Sequence, residues 1–395
     1  MATTTARSIT TPDDTGFRFL YEPIEDVERL ERYQPGGYHT VQIGDHFHGR
    51  YRVIHKLGHG SYSTIWLARN EQNNKHVALK ICTADSRSKE MISSIIDTFT
   101  VHGPNGNRPC HGTTAARASL TELKDGSWIS LFQLDVARAL AAQAVLAVDY
   151  IHTQGELCME TYIWKYGAPE REPVICLDGK PLPPGVPSHA VVLIWLGAAS
   201  EKITLPEART LLTDFGEAFS CSNSKELKYE SRTPLVIRSP EARVEPDKPL
   251  SYASDIWTLA CTTWSIIAQR LLFEEFVATE DDMTREHVDT LGILPLEWWK
   301  KWEARREKFT EDGRPINRNP FRSWRDRFED SVQQPRQREG MPVLGDDERD
   351  AIFDMLRPML AFRPEERCTT KQILESEWMV RWALPAYEKI PKNEK

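Results

Sequence analysis

Residues 51–82 constrain this chain more than any other stretch. Tyr51-Arg-Val-Ile-His-Lys-Leu57 alternates into a glycine-containing turn, Thr64-Ile-Trp-Leu-Ala68 follows, and His76-Val-Ala-Leu-Lys-Ile-Cys82 completes three short apolar runs. Runs of this length, rich in β-branched and aromatic residues and separated by turn residues, are expected as strands of an antiparallel sheet. The period changes over residues 129–152, where apolar side chains recur at three and four positions among strong helix formers. Gly155 stands where a C′ residue ends a helix, so one long, mostly buried helix is expected there. Residues 179–188, Gly-Lys-Pro-Leu-Pro-Pro-Gly-Val-Pro-Ser, suit neither helix nor central strand and are expected as a loop. Past Ser251 the pattern is helices with intervening loops. Strands first and helices afterwards predict an α+β chain, and 395 residues suffice for about two units, each with a core.

Charge and cysteine usage narrow the setting. A net charge of −8 argues against a nucleic-acid binder on bulk electrostatics. The seven cysteines are odd in number, scattered and without a CxxC pair, which points to neither a disulfide framework nor a zinc site. A reducing compartment, cytoplasm or nucleus, is expected. The most apolar stretch, residues 190–199, is about half of the roughly 20 residues that span a bilayer, and residues 1–14 carry no apolar signal core. No membrane contact is expected. Residues 1–15 are Ser/Thr-rich and read as a flexible tail, and the Arg/Lys/Glu-rich stretch 298–327 as a solvated surface.

Several residues are placed for phosphate chemistry. Gly58 and Gly60, with Leu57 before them and His59, Ser61, Ser63 and Ile65 around them, make a hairpin tip whose backbone N–H groups can approach phosphates unobstructed. Alone, this pattern is an ordinary hairpin turn. Lys80 strengthens it, because a lysine in the apolar run Val77-Ala78-Leu79-Lys80 is costly to bury without an anionic partner. Downstream, Leu211-Leu-Thr-Asp214-Phe215-Gly216 sets an Asp just after a short apolar strand, where its carboxylate can hold Mg²⁺. Ser239-Pro240-Glu241, Ser254-Asp255-Ile256-Trp257 and Arg363-Pro-Glu-Glu-Arg367 follow in that order.

Together these motifs resemble a eukaryotic protein kinase domain. The segment ahead of them (Glu25-Asp26, Gly36-Gly37-Tyr38-His39, Ile43-Gly44-Asp45, Arg50-Tyr51) resembles the corresponding segment of the SR-protein kinases, fungal members included. The resemblance implies a bilobal fold, with a β-rich lobe over residues 16–123, a helical lobe over 124–385 and a tail over 386–395. It implies ATP and Mg²⁺ as ligands and transfer of the γ-phosphate to Ser or Thr of Arg/Ser-rich proteins, by a monomer. Residues 57–65 and Ala78 would surround the nucleotide, Lys80 would contact its α and β phosphates, and Asp214 would hold the metal. Glu90 would pair with Lys80, Glu241 with Arg367, and Asp255 would anchor the catalytic-loop backbone.

Two departures interrupt the resemblance. The family places a His-x-Asp-x-x-x-x-Asn loop directly after a helix like 129–152. Here Tyr150-Ile151-His152 is followed by no Asp before Asp178, and no Asn lies between Asn107 and Asn223. No catalytic base is therefore assigned, since Glu156 and Glu160 lack the spacing. The gap between Lys80 and the strand-like run at residues 94–101 is also too short for the family's helix of several turns, and Glu90 is its one glutamate. Both are clean gaps between stretches of good family sequence. That pattern suits missing exons, with a true inactive pseudokinase as the alternative.

Overall fold

The computed structural model describes residues 19–83, 95–116, 118–153, 170–210, 229–274, 279–317 and 322–391. The chain divides into two units. Residues 1–90, 94–117 and 158–196 form one, and residues 91–93, 118–157 and 197–395 form the other.

The first unit is a six-stranded antiparallel sheet: β1 (His46–Phe47), β2 (Tyr51–Gly60), β3 (Ser63–Asn70), β4 (Lys75–Cys82), β5 (Ile95–Gly103) and β6 (Gly106–Thr113), in the order β1-β2-β3-β4-β6-β5. The three apolar runs are β2, β3 and β4 as expected, and the strand-like run at 94–101 is β5. One face buries Val53, Trp66, Val77, Leu79, Ile81, Phe99 and Cys110 in a core that Val41 and Val191 join. This is the period-2 burial that the alternation predicts.

The segment ahead of the sheet and residues 170–191 share a second small core of Tyr21, Leu30, Tyr33, Tyr38, Val174 and Ala190. Residues 170–191 include a short hairpin, β7 (Arg171–Pro173) with β8 (His189–Val191), and the Pro/Gly-rich stretch is the loop between its strands. These residues were expected in the helical lobe, yet they group with the sheet. The cause is local bonding: Tyr21 bridges Cys176, Leu177 N donates to Leu20 O at 2.9 Å, and Ile194 N donates to Lys56 O at 3.1 Å.

The second unit is helical: α1 (Leu120–Asp125), α2 (Leu134–Thr153), α3 (Glu241–Val244), α4 (Tyr252–Ile267), α5 (Glu280–Leu291), α6 (Leu296–Lys301), α7 (Arg305–Lys308), α8 (Trp324–Phe328), α9 (Gln334–Arg338), α10 (Asp346–Met359), α11 (Thr370–Leu374) and α12 (Leu384–Glu388). Capping boxes start several of them: Ser119 with Glu122, Thr279 with Asp282, Ser323 with Asp326 and Thr369 with Gln372 each satisfy two orphan N–H groups. The alanines of α2 (Ala137, Ala139, Ala141, Ala142) are fully buried in the main core, where their small side chains allow close approach by α4.

Three boundaries differ from expectation. The long helix starts at Leu134, not residue 129, because Ser127 Oγ accepts from the amides of Ile129 and Ser130, and Ser130 sits at φ 53°. That local turn diverts the backbone from helix. The stretch 298–327 is not simply a solvated surface: Trp298, Trp299, Trp302 and Phe309 form a buried cluster with Val288 and Leu294, beneath Arg305. The expected tail at 386 is packed further, since Ala386 and Ile390 are buried in the main core. Among the described residues no helix is long and apolar enough to cross a membrane.

Candidate active site

In the sheet unit, strand register aligns the residues singled out from sequence. Gly58 pairs with Ile65, Ile65 with Lys80, and Lys80 with His111, so one row crosses β2, β3, β4 and β6. Directly opposed residues share a face. Ala78, two positions from Lys80 and opposite Leu67, lies on that same face, away from the Trp66–Leu79 core. Lys80 is therefore on an interior strand and half-buried, not on a sheet edge.

The hairpin beyond this row turns at Ser61 and Tyr62, with Gly60 opposite Ser63 as its last pair. A Cβ built on Gly58 or Gly60 meets nothing within 4 Å, and neither residue has a positive φ. Neither packing nor backbone conformation thus demands glycine at these positions. The space that side chains would fill is left for something else to approach the backbone. These residues fit a phosphate-bearing nucleotide.

A buried ion pair that sequence reasoning missed lies beside this hairpin. Lys56 Nζ, with its side chain 1% exposed, donates to one carboxylate oxygen of Glu28, and Tyr33 Oη donates to the other. Burial pushes the Lys56 ammonium below its ordinary pKa, opposed by the Glu28 charge, and burial beside Glu28 pushes the Tyr33 phenol well up. The Lys56 ammonium also lies 5.5 Å from the Trp66 ring. Lys56 itself carried a signal, since it stands in an apolar strand as Lys80 does, but its partner did not.

In the helical unit, Glu241 opens α3 and meets Arg367 as a buried bidentate pair. Arg367 Nη1 lies 2.8 Å from Glu241 Oε1, and Nη2 lies 2.6 Å from Oε2. The remaining donors reach Ala253 O at 2.8 Å, Phe362 O at 3.0 Å and Ala361 O at 2.8 Å, so all five guanidinium N–H groups are used. Ser254 Oγ adds a bond to Glu241 Oε1 at 2.9 Å. Burial alone would raise the Glu241 pKa, but the bonds and charge of Arg367 outweigh it and hold the carboxyl below its usual range. The expected Glu241–Arg367 pair is therefore present.

Asp255, in the first turn of α4, accepts from or faces His152 Nε2 at 3.1 Å, and the His152 ring lies 4.5 Å from Tyr252. This contact reaches the last turn of α2, next to where the family's catalytic loop would begin. Glu90, Glu156, Glu160, Asp214 and Gly155 lie outside the described residues. Asp178, the first aspartate after His152, is exposed in the β7–β8 loop of the sheet unit, where it bonds to Lys180 at 2.8 Å.

Residues 203–379, within the helical unit, match the model of the protein kinase domain. Across both units, the chain is 24% identical to a serine/threonine protein kinase of Aspergillus fumigatus, covering 94% of this chain and 95% of that one. Over most of its length the chain is thus similar to serine/threonine protein kinases. Its relatives include SRPK-type enzymes: a serine/threonine-protein kinase SRPK of Physarum polycephalum is 24% identical over 89% of this chain and 91% of its own. The human SRSF protein kinase 3 is 31% identical over 153 residues, 33% of this chain and 27% of that protein.

Proposed function

We propose that this chain binds Mg·ATP through its sheet unit and transfers the γ-phosphate to Ser or Thr hydroxyls of Arg/Ser-rich proteins, as an intracellular enzyme acting as a monomer. The observation that carries this reading is the row Gly58–Ile65–Lys80, aligned by register beneath a hairpin whose glycines the fold does not require. In this role the amides of residues 58–63 cradle the phosphates, Ile65 and Ala78 contact the base, and Lys80 neutralises the α and β phosphates. Asp214 holds the Mg²⁺, which supplies charge neutralisation of the triphosphate. Glu90 is assigned as the partner of Lys80. Glu241, Arg367 and Asp255 keep structural roles.

A second reading, a pseudokinase that binds nucleotide or a partner without turnover, is favoured by one observation. No Asp lies between His152 and Asp178, and Asp178 is in the sheet unit. Loss of a general base is worth about 10²–10⁴ in rate. Calorimetric titration with Mg·ATP, alongside phosphate transfer to an Arg/Ser peptide, separates the readings. The kinase reading expects both signals, with Lys80→Met abolishing transfer and leaving the melting temperature nearly unchanged. Binding without transfer supports the pseudokinase. Full transfer by Lys80→Met overturns the role given to that lysine.

A further inference from the structure

The hairpin over the Gly58–Lys80 row is weakly determined by its own sequence. Leu57 is the extra residue of a bulge, since Lys56 pairs with Trp66 and Gly58 with Ile65. Beyond it stand two glycines with nothing to pack. A bulge followed by glycines bends easily and has no side chains to hold its direction.

Residues 28–38 supply what the hairpin lacks. At the tip, Tyr38 Oη donates to the carbonyl oxygen of Gly60 at 2.8 Å, and the Tyr38 residue is only 3% exposed. Arg32 Nη1 donates to the same phenol oxygen at 3.3 Å, and its guanidinium lies 5.0 Å from the ring. At the root, Lys56 is held twice, by the Glu28 carboxylate through its ammonium and by Ile194 N through its carbonyl. The Tyr33 and Tyr38 rings, 5.6 Å apart, join the root contact to the tip contact.

The segment is itself fixed to the sheet. Gly36 N donates to Asn105 O at 3.0 Å in the β5–β6 turn, and Asn105 Nδ2 donates to Tyr38 O at 2.9 Å. A Cβ on Gly37 would fall 1.9 Å from Arg32 O, so the sharp return that presents Tyr38 requires glycine there.

We infer that residues 28–38 are a brace that sets the position of the glycine hairpin, and that Tyr38 is a positioning residue for nucleotide binding through its bond to Gly60 O. The brace itself stands on geometry. Its consequence for ATP rests on the function proposed above, and the two are read separately.

The test compares the full chain with Tyr38→Phe, which keeps the ring and removes the hydroxyl. Amide hydrogen exchange is followed over residues 58–64 and over the rest of the sheet, with melting temperature and Mg·ATP affinity measured in parallel. The brace predicts exchange at the hairpin rising about fivefold, what one neutral hydrogen bond is worth, with β4 and β6 unchanged. Mg·ATP binding should weaken by a similar factor at nearly constant melting temperature. Unchanged hairpin exchange overturns the inference, as does a rise spread evenly over the sheet with a lowered melting temperature, which marks a purely structural tyrosine. If the parent chain binds no Mg·ATP, the nucleotide reading fails while the exchange data still decide the brace.

Discussion

Arg367–Glu241 in the helical unit and Lys56–Glu28 in the sheet unit are both buried ion pairs, and the two are built on different terms. Arg367 in the helical unit gives two bonds to Glu241 and three to backbone carbonyls of residues that precede it in the chain. Lys56 in the sheet unit donates its ammonium to Glu28 and sets it 5.5 Å from the Trp66 ring, with Tyr33 donating to the other carboxylate oxygen. The first pair is therefore a fastening of three chain segments, in which the ionic contact is one part. The second is a local exchange of charge beneath a hairpin. Buried pairs of similar appearance should consequently answer mutation differently.

The largest effect is expected at Arg367. Arg367→Met leaves the Glu241 carboxylate buried without its partner and strips three carbonyls of their donor, for a loss of about 3–5 kcal/mol of unfolding free energy in denaturant titration. Adding Glu241→Gln should recover little, because the bonds from Arg367 to the carbonyls of Ala253, Phe362 and Ala361 stay lost. Lys56→Met should cost less, about 1–3 kcal/mol, since Glu28 keeps the Tyr33 bond. Here Glu28→Gln in the same chain should restore most of the loss, because the hydrogen bond of Lys56 Nζ goes to Glu28 and not to backbone carbonyls. If both double variants recover equally, the distinction between the two pairs is wrong.

The same contrast governs what the sequence revealed. Glu241 and Arg367 were legible because they sit in Ser-Pro-Glu and Arg-Pro-Glu-Glu-Arg, short motifs that the resemblance could align. The strands β2 to β4 and the row through Lys80 were legible because a period of two fixes faces and, once paired, register. Lys56–Glu28 was not legible, although Lys56 occupies as apolar a strand as Lys80. Its partner lies 28 residues earlier in a segment without regular periodicity, and no local rule connects the two. The grouping of residues 170–196 with the sheet was hidden for the same reason: it depends on bonds from Leu177 to Leu20 and from Ile194 to Lys56. The start of α2 was misplaced by one serine side chain, Ser127, whose bonds to two amides outweigh a helical pattern. Trp298, Trp299 and Trp302 were masked by the charged residues among and after them, one of which, Arg305, places its guanidinium over the Trp299 ring at 5.3 Å.

The smallest effects, and the finest comparison of the units, concern one buried histidine in each. Burial, with Arg108 nearby, lowers His39 in the sheet unit to about 4; burial, with Arg367 and Arg243 adding repulsion, lowers His287 in the helical unit to about 3. His287 is enclosed by the Trp257 and Phe273 rings at 5.0 and 4.6 Å, and His39 stands edge-on to Phe47 at 6.0 Å. Both imidazoles are neutral when folded and take up protons on unfolding below their ordinary value of 6.5. The unfolded state then binds more protons, so stability is full above pH 6.5 and declines as pH falls through the window down to the folded pKa. Between pH 7 and 5.5 each should withdraw about 1 kcal/mol. Only at lower pH do they part: His39 stops contributing near pH 4, while His287 continues to about 3 and is joined by Glu241 once pH drops below 4.5. His287→Phe, which fills the aromatic box without a titrating group, should flatten the pH dependence of unfolding of the helical unit from pH 6.5 downward. An unaltered slope in that variant would mean that His287 reaches a proton acceptor or water in the folded state, and that the enclosure drawn by Trp257 and Phe273 is not closed to solvent.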